Sequence, residues 1–186
     1  MSAPVQTGLV YDDLWAFPQD DGLRRELIDG ELHVSAAPIR RHQRAVAGIT
    51  AELMSYRRDH GGEVLPAPVD VYFARDTVVE PDVVFIGPQR VGDLDDERYV
   101  DIVPDLLVEV SSPSTRRLDL VKKRALYERE GVAEYWFVDL EAAVVDVYRL
   151  GEHGRYGAPA TLGDGEVLTC LAAPGLELPV VEVLHA

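Results

Sequence analysis

Two carboxylates interrupt strongly apolar runs in this chain. One run is Val78-Val79-Glu80-Pro81-Asp82-Val83-Val84-Phe85-Ile86, and the other is Pro104-Asp105-Leu106-Leu107-Val108-Glu109-Val110. Runs of this kind read as strands buried on at least one face. An acid in such a strand is costly unless something compensates it. A divalent cation held between Asp82 and Glu109 would compensate both. A basic helix follows the second run. Helical spacing puts Asp119 and Lys123 at i and i+4 on one side. Leu118, Val121 and Ala125 read as its core-facing side, with Lys122 close to that stripe. Spacing alone does not choose between the two lysines.

Each of these residues also has a plain structural reading. Asp82 after Pro81 can close a turn. Glu109 can pair with an arginine as a structural ion pair. Lys123 can be a solvated helix residue, and Glu26 is balanced between site and structural roles. His42 reads as a surface or capping residue beside Arg40, Arg41 and Arg44 rather than a ligand. Trp15, Tyr135 and Trp136 read as core rather than as platforms for base stacking. His33, His60, His153 and His185 have no partner at metal-binding spacing.

The elements that must position these groups follow from the pattern. Residues 11–25 predict a short helix and a loop. Glu26 to Val34 predicts a hairpin about Asp29-Gly30, a strong turn dipeptide. Residues 39–59 predict a helix, ended by His60-Gly61-Gly62. Val64–Phe73 and Val78–Ile86 predict two strands joined at Arg75-Asp76. The polar stretch 87–103 predicts a loop or short helix. Leu106–Val110 is the most apolar strand and is expected at the sheet's centre. Pro113-Ser114-Thr115 opens a helix to about Glu130, closed by Gly131. Glu134–Val138 and Val144–Tyr148 predict a second hairpin, and the Gly- and Pro-rich tail predicts two or three edge strands. The order is that of a mixed α/β domain, a sheet flanked by helices.

Composition narrows the function classes. At 186 residues, with 47% hydrophobic and 27% charged residues, one domain with a sizeable core is expected, a core of about 11–150 and a β-rich extension of about 151–186. No apolar run is long enough to span a membrane, and the N-terminus lacks a secretion-signal pattern, so a cytoplasmic location is expected. The single Cys170 excludes an internal disulfide and a cysteine-based zinc site. A net charge of −15 argues against broad attraction to nucleic acid but leaves room for a local basic groove. Arg40-Arg41-His42-Gln43-Arg44, Arg57-Arg58, and Arg116-Arg117 with Lys122-Lys123-Arg124 concentrate the positive charge.

Several blocks, in order, carry a resemblance. They are Glu26-Leu27-Ile28-Asp29-Gly30-Glu31-Leu32, Arg41-His42-Gln43, Glu80-Pro81-Asp82-Val83, and Pro104-Asp105-Leu106-Leu107-Val108-Glu109-Val110-Ser111-Ser112-Pro113-Ser114-Thr115. Asp119, Lys123, Tyr127 and Gly131-Val132-Ala133-Glu134-Tyr135-Trp136 continue the pattern. The chain resembles the Uma2 (DUF820) family of restriction-endonuclease-like proteins from about Tyr11 to Leu178. That resemblance implies a restriction-endonuclease-like mixed β-sheet flanked by helices, with additional hairpins. It implies a PD-(D/E)xK site in which Asp82 and Glu109 are the acids. The usual lysine position holds Ser111, and the resemblance assigns the lysine to Lys123 on the following helix. Glu26 is implied as an outer ligand.

The expected activity is a Mg²⁺-dependent endonuclease hydrolysing DNA, with Mn²⁺ as a substitute. Asp82, Glu109 and the Val110 carbonyl would hold the ion. Lys123 would position water or stabilise negative charge. The alternative is a catalytically inactive nucleic-acid- or protein-binding module that keeps the fold. A purely structural oligomer whose acids form ion pairs is a third reading, and a homo-oligomer is left open.

Overall fold

The computed structural model describes residues 6–94 and 98–185. The strands are β1 (Leu23–Ile28), β2 (Glu31–Ala36), β3 (Glu63–Pro66), β4 (Val71–Ala74), β5 (Thr77–Val79), β6 (Val83–Ile86), β7 (Leu106–Val110), β8 (Glu134–Asp139), β9 (Val144–Arg149), β10 (Ala160–Leu162), β11 (Val167–Cys170) and β12 (Ala173–Pro179). The α-helices are α1 (Arg40–His60), α2 (Arg124–Glu130) and α3 (Val180–Leu184). A 3₁₀ turn covers Tyr11–Ala16, and a π-helical segment, Leu118–Lys123, leads directly into α2.

A six-stranded mixed sheet runs β10-β9-β8-β7-β6-β3, with β7 and β8 parallel and the other pairs antiparallel. The apolar β7 lies centrally, as its composition predicts. Period-2 alternation gives the sheet two buried faces. Val83, Phe85, Val108, Val110, Trp136 and Val138 face a core shared with α1, β12 and α3. Val84, Ile86, Leu107, Tyr135 and Phe137 face a second core, which includes Leu126 and Tyr127 of α2. Glu109 alternates onto the second face.

A four-stranded sheet, β2-β1-β5-β4, extends this second side. Its β1–β2 turn is Asp29-Gly30, with φ of 52° and 73°. Two consecutive positive φ values are those of a type I′ hairpin turn, for which this dipeptide is suited.

The two long strands expected at 64–73 and 78–86 each break in two. β3 and β6 pair in the large sheet, while β4 and β5 pair in the small one. Pro68 and Pro81 lie in the breaks. Proline has no N–H to give a ladder and fixes φ, so a strand switches sheets readily there. The Glu80-Pro81-Asp82 corner is one of these switch points.

The helix expected at 39–59 is α1, ended by Gly61 at φ 82°. At the next residue, Gly62, a Cβ would meet the Ile86 carbonyl oxygen at 2.8 Å. The stretch 87–103 contains a 3₁₀ turn at Val91–Asp93, and Val100 bridges Val71. Residues 95–97 of that expected loop lie outside the described residues. In the tail, β10 edges the large sheet and β11–β12 form a separate pair. The sequence pattern did not foresee α3. Leu168, Leu178, Val180 and Val183 join the first core, so the tail packs as part of it.

Candidate active site

The register of β6 and β7 brings the two acids together. Val83 opposes Val108, and one further step sets Asp82 opposite Glu109. Glu26 arrives from β1, His42 from the first turns of α1, and Asp119 and Lys123 from the π-helical segment. All of them, with Arg24, Val110 and Thr115, line one cleft of about 300 Å³. The six residues Glu26, His42, Asp82, Glu109, Asp119 and Lys123 are all buried.

Asp82 is held on both oxygens. Arg24 Nη1 donates to Oδ1 at 3.0 Å, and the Val110 N–H donates to Oδ2 at 2.8 Å. His42 Nε2 lies 3.1 Å from Oδ2. Burial works against ionisation of Asp82, but His42, Arg24 and Val110 N–H outweigh it and hold the carboxyl below its ordinary value. Arg24 also reaches Glu80 Oε1 at 2.6 Å.

Lys123 is 1% exposed and bridges two acids. Its Nζ is 2.6 Å from Glu26 Oε1 and 2.9 Å from Glu109 Oε1. Burial alone would lower its pKa, yet Glu109, Glu26 and Asp119 raise it above the ordinary lysine value. Tyr127 donates to Glu109 Oε1 at 2.6 Å, and the Glu80 N–H donates to Glu26 Oε1 at 2.7 Å. Glu109 moves the other way from Asp82. Burial pushes it well up; Lys123 opposes this, while Asp119, Asp82 and Glu26 add to it. Asp119 is pushed up to about 6, chiefly by burial, with Lys123 and the Thr115 hydroxyl opposing.

The structure thus gathers Asp82, Glu109, Lys123, Glu26 and Val110 at one place. It also places residues there that the sequence reading passed over. His42 is neither a surface residue nor a cap. It is buried against Asp82, and its Nδ1 has no hydrogen-bond partner among the described residues. Arg24 lies two residues before Glu26 on β1, so strand alternation puts both on one face; that spacing was the available signal. For His42 the signal was the Arg41-His42-Gln43 block itself. The helix face also differs from expectation. Val121 is 55% exposed and Ala125 is exposed, whereas Asp119, Lys123, Leu126 and Tyr127 point inward. The helix roofs a polar cleft first and an apolar core second, so its inward face begins with charge. Lys122 points outward and pairs with Glu31 at 2.7 Å.

Among the described residues, no three His, Cys, Asp or Glu side chains form a ready-made metal cage. Mg²⁺ does not require one, because it is commonly bound by one or two carboxylates with water and substrate phosphate. The cleft's donors are hard oxygens. Glu26, Asp82, Glu109 and Asp119 outnumber the permanent cations Arg24 and Lys123. That excess suits a divalent cation.

No helix among the described residues is long and apolar enough to cross a membrane. None of the curated proteins matches the chain in sequence. A crystal structure described as "a putative nuclease belonging to DUF820", from Anabaena variabilis, is similar in fold, with a TM-score of 0.76 at 17% identity, covering 95% of this chain and 98% of that one. The model of the Uma2 family, described as "Putative restriction endonuclease", matches residues 11–181. With the match running through every element that supplies the cleft, the chain belongs to the Uma2 family.

Proposed function

We propose that this protein is a Mg²⁺-dependent endonuclease that hydrolyses DNA phosphodiester bonds, with Mn²⁺ able to replace Mg²⁺. The supporting observation is the convergence of Glu26, Asp82, Glu109 and Lys123, from separate elements, on one cleft with excess negative charge. Asp82 and Glu109, with the Val110 carbonyl, would hold the cation. When bound, it supplies charge neutralisation at the phosphate and a water of lowered pKa. Lys123, held as an ammonium, has no capacity to accept a proton; it stabilises negative charge building on the phosphate. Asp119 lines the same cleft and, as a carboxylate, is suited to take the proton of the attacking water. Arg24 and His42 fix the orientation of Asp82, and Tyr127 fixes that of Glu109.

The test is an assay on linear, supercoiled and single-stranded DNA with Mg²⁺ or Mn²⁺, beside Glu109→Gln. The wild type should cleave with either metal and stop in chelator, and Glu109→Gln should lose about 100-fold or more in rate. Intact DNA in every form with both metals would sink the hydrolytic reading. One observation favours the alternative of an inactive binding module: every acid at the centre already has a protein partner, Lys123 for Glu26 and Glu109, and Arg24 with His42 for Asp82. Calorimetry with Mn²⁺ separates the two. Binding that disappears in the Asp82→Asn, Glu109→Gln double variant supports the metal site; no binding by the wild type supports the module.

A further inference from the structure

Trp15 is 65% exposed, the reverse of the core position expected for it. It sits on the 3₁₀ turn Tyr11–Ala16, which buries Leu14 instead. The indole meets the edge of Tyr11 at 6.2 Å between ring centroids. Tyr11 is itself fixed. Its hydroxyl donates to Asp70 at 2.7 Å, and its ring packs edge-on against Tyr72 and Tyr99 at 5.7 and 5.8 Å. Trp15 is therefore a large ring braced from behind and open in front.

Tyr11 and Trp15 line a cavity of about 440 Å³, within the range of pockets for small organic groups. Arg24, Ala36, Ala37, Pro38 and Asp82 line both this cavity and the cleft of the carboxylates, so the two are adjoining.

We propose that this cavity binds an unpaired nucleobase of the DNA strand whose phosphate lies in the cleft, stacked on Trp15. The inference rests on the nuclease reading and names how its substrate is held. The walls choose a base over a second phosphate. Arg24 and Arg25 line the cavity too, but Arg24 is paired with Glu80 and Asp82, and Arg25 with Asp21. The carboxylates Asp70, Glu80 and Asp82 therefore leave the wall unfavourable to an anion, whereas a base is neutral. Exocyclic amino groups of adenine and cytosine are donors that a carboxylate accepts. Gln43 also lines the cavity, is exposed, and its amide makes no hydrogen bond among the described residues, so it is free to meet a base edge. The base must be unpaired, because a base inside a duplex has both faces covered and reaches a ring only after leaving the stack. Stacking also suits a chain of net charge −15, since it gains affinity without basic surface.

The test uses the whole protein in chelator at low salt, with a short labelled deoxyadenosine strand and an abasic strand of equal phosphate number. The wild type should bind the deoxyadenosine strand about 10-fold or more tighter than the abasic one. Trp15→Ala should bring the first affinity down to the second, and Trp15→Phe should retain most of it. Equal binding of the two strands by the wild type, equal binding by wild type and Trp15→Ala, or no detectable binding of deoxyadenosine overturns the proposal. Cleavage by the wild type in Mg²⁺ is scored separately. Base-dependent binding without cleavage keeps the pocket and removes the nuclease. Cleavage with a silent Trp15→Ala keeps the nuclease and removes the pocket.

Discussion

Asp119 shows how far one residue's environment departs from its sequence. Its folded pKa is about 6 against an ordinary 3.8. The folded chain therefore holds a proton that the unfolded chain releases between those values. That contribution is fully present below the unfolded pKa and is lost as pH rises through 6. With chelator present, stability should fall between pH 4 and 6 by about 3 kcal/mol from this group, and Asp119→Asn should flatten that part of the profile. Urea melts across that range measure it; an unchanged profile in the variant would place Asp119 in a more solvated setting. Residue types and apolar context were enough to pick out Glu109 within β7 and Asp82 just before β6, because a carboxylate buried among apolar residues has few harmless uses. The signals for Arg24 and His42, the spacing to Glu26 and the Arg41-His42-Gln43 block, are weak, since an arginine or histidine among polar neighbours is ordinary until a buried acid is seen opposite it. Trp15 was misread because its ring type suggests burial, and only the tertiary position shows it open.

At the scale of elements, the hairpins, α1, the central β7 and the helix before Gly131 were readable from periodicity and turn residues. The switch of strands between sheets was not, because Pro68 and Pro81 signal a break without saying where the chain resumes. The π-helical segment was hidden too. Its i→i+5 winding, a feature frequent at functional sites, leaves no clear sequence mark. It carries Asp119 and both lysines. Lys123 is inside, bridging Glu26 and Glu109, and Lys122 is outside on Glu31. Lys123→Ala strands two buried carboxylates, so it should cost about 3–5 kcal/mol of stability without metal. Lys122→Ala removes an exposed pair and should cost about 0–1 kcal/mol. Added Mg²⁺ should recover part of the loss in Lys123→Ala, since a cation again faces the acids. Cleavage by Lys123→Ala should remain down by about 100-fold or more at saturating Mg²⁺, and that by Lys122→Ala should stay close to wild type. Thermal melts with and without Mg²⁺, beside single-turnover rates, check both statements. A Lys122→Ala protein that melts low and does not cleave would reverse the helix face.

On the proposed nuclease reading, the whole molecule sets the terms on which DNA can approach. Its net charge is −15, and many of its cations are already committed to acids, among them Arg24, Arg25, Lys122, Lys123, Arg116 and Arg129. Arg40, Arg41 and Arg44 on the opening turns of α1, and Arg117 just before the π-helical segment, are exposed and lie within two residues of ones that line the cleft. Arg40 and Arg41 stand against the helix dipole there, an arrangement that costs about 0.3–1 kcal/mol each at low salt. A local basic rim on an acidic body predicts few phosphate contacts. With these four arginines engaged, the slope of log affinity for duplex DNA against log salt should be about −4 or shallower. Replacing Arg40, Arg41 and Arg44 together by glutamine should reduce it by about 3. Titrations over a range of KCl, in chelator, measure both slopes. A much steeper wild-type slope would mean that phosphates are contacted elsewhere. An unchanged slope in the triple variant would move the DNA away from the start of α1, and with it the path that brings a phosphate to Asp82 and Glu109.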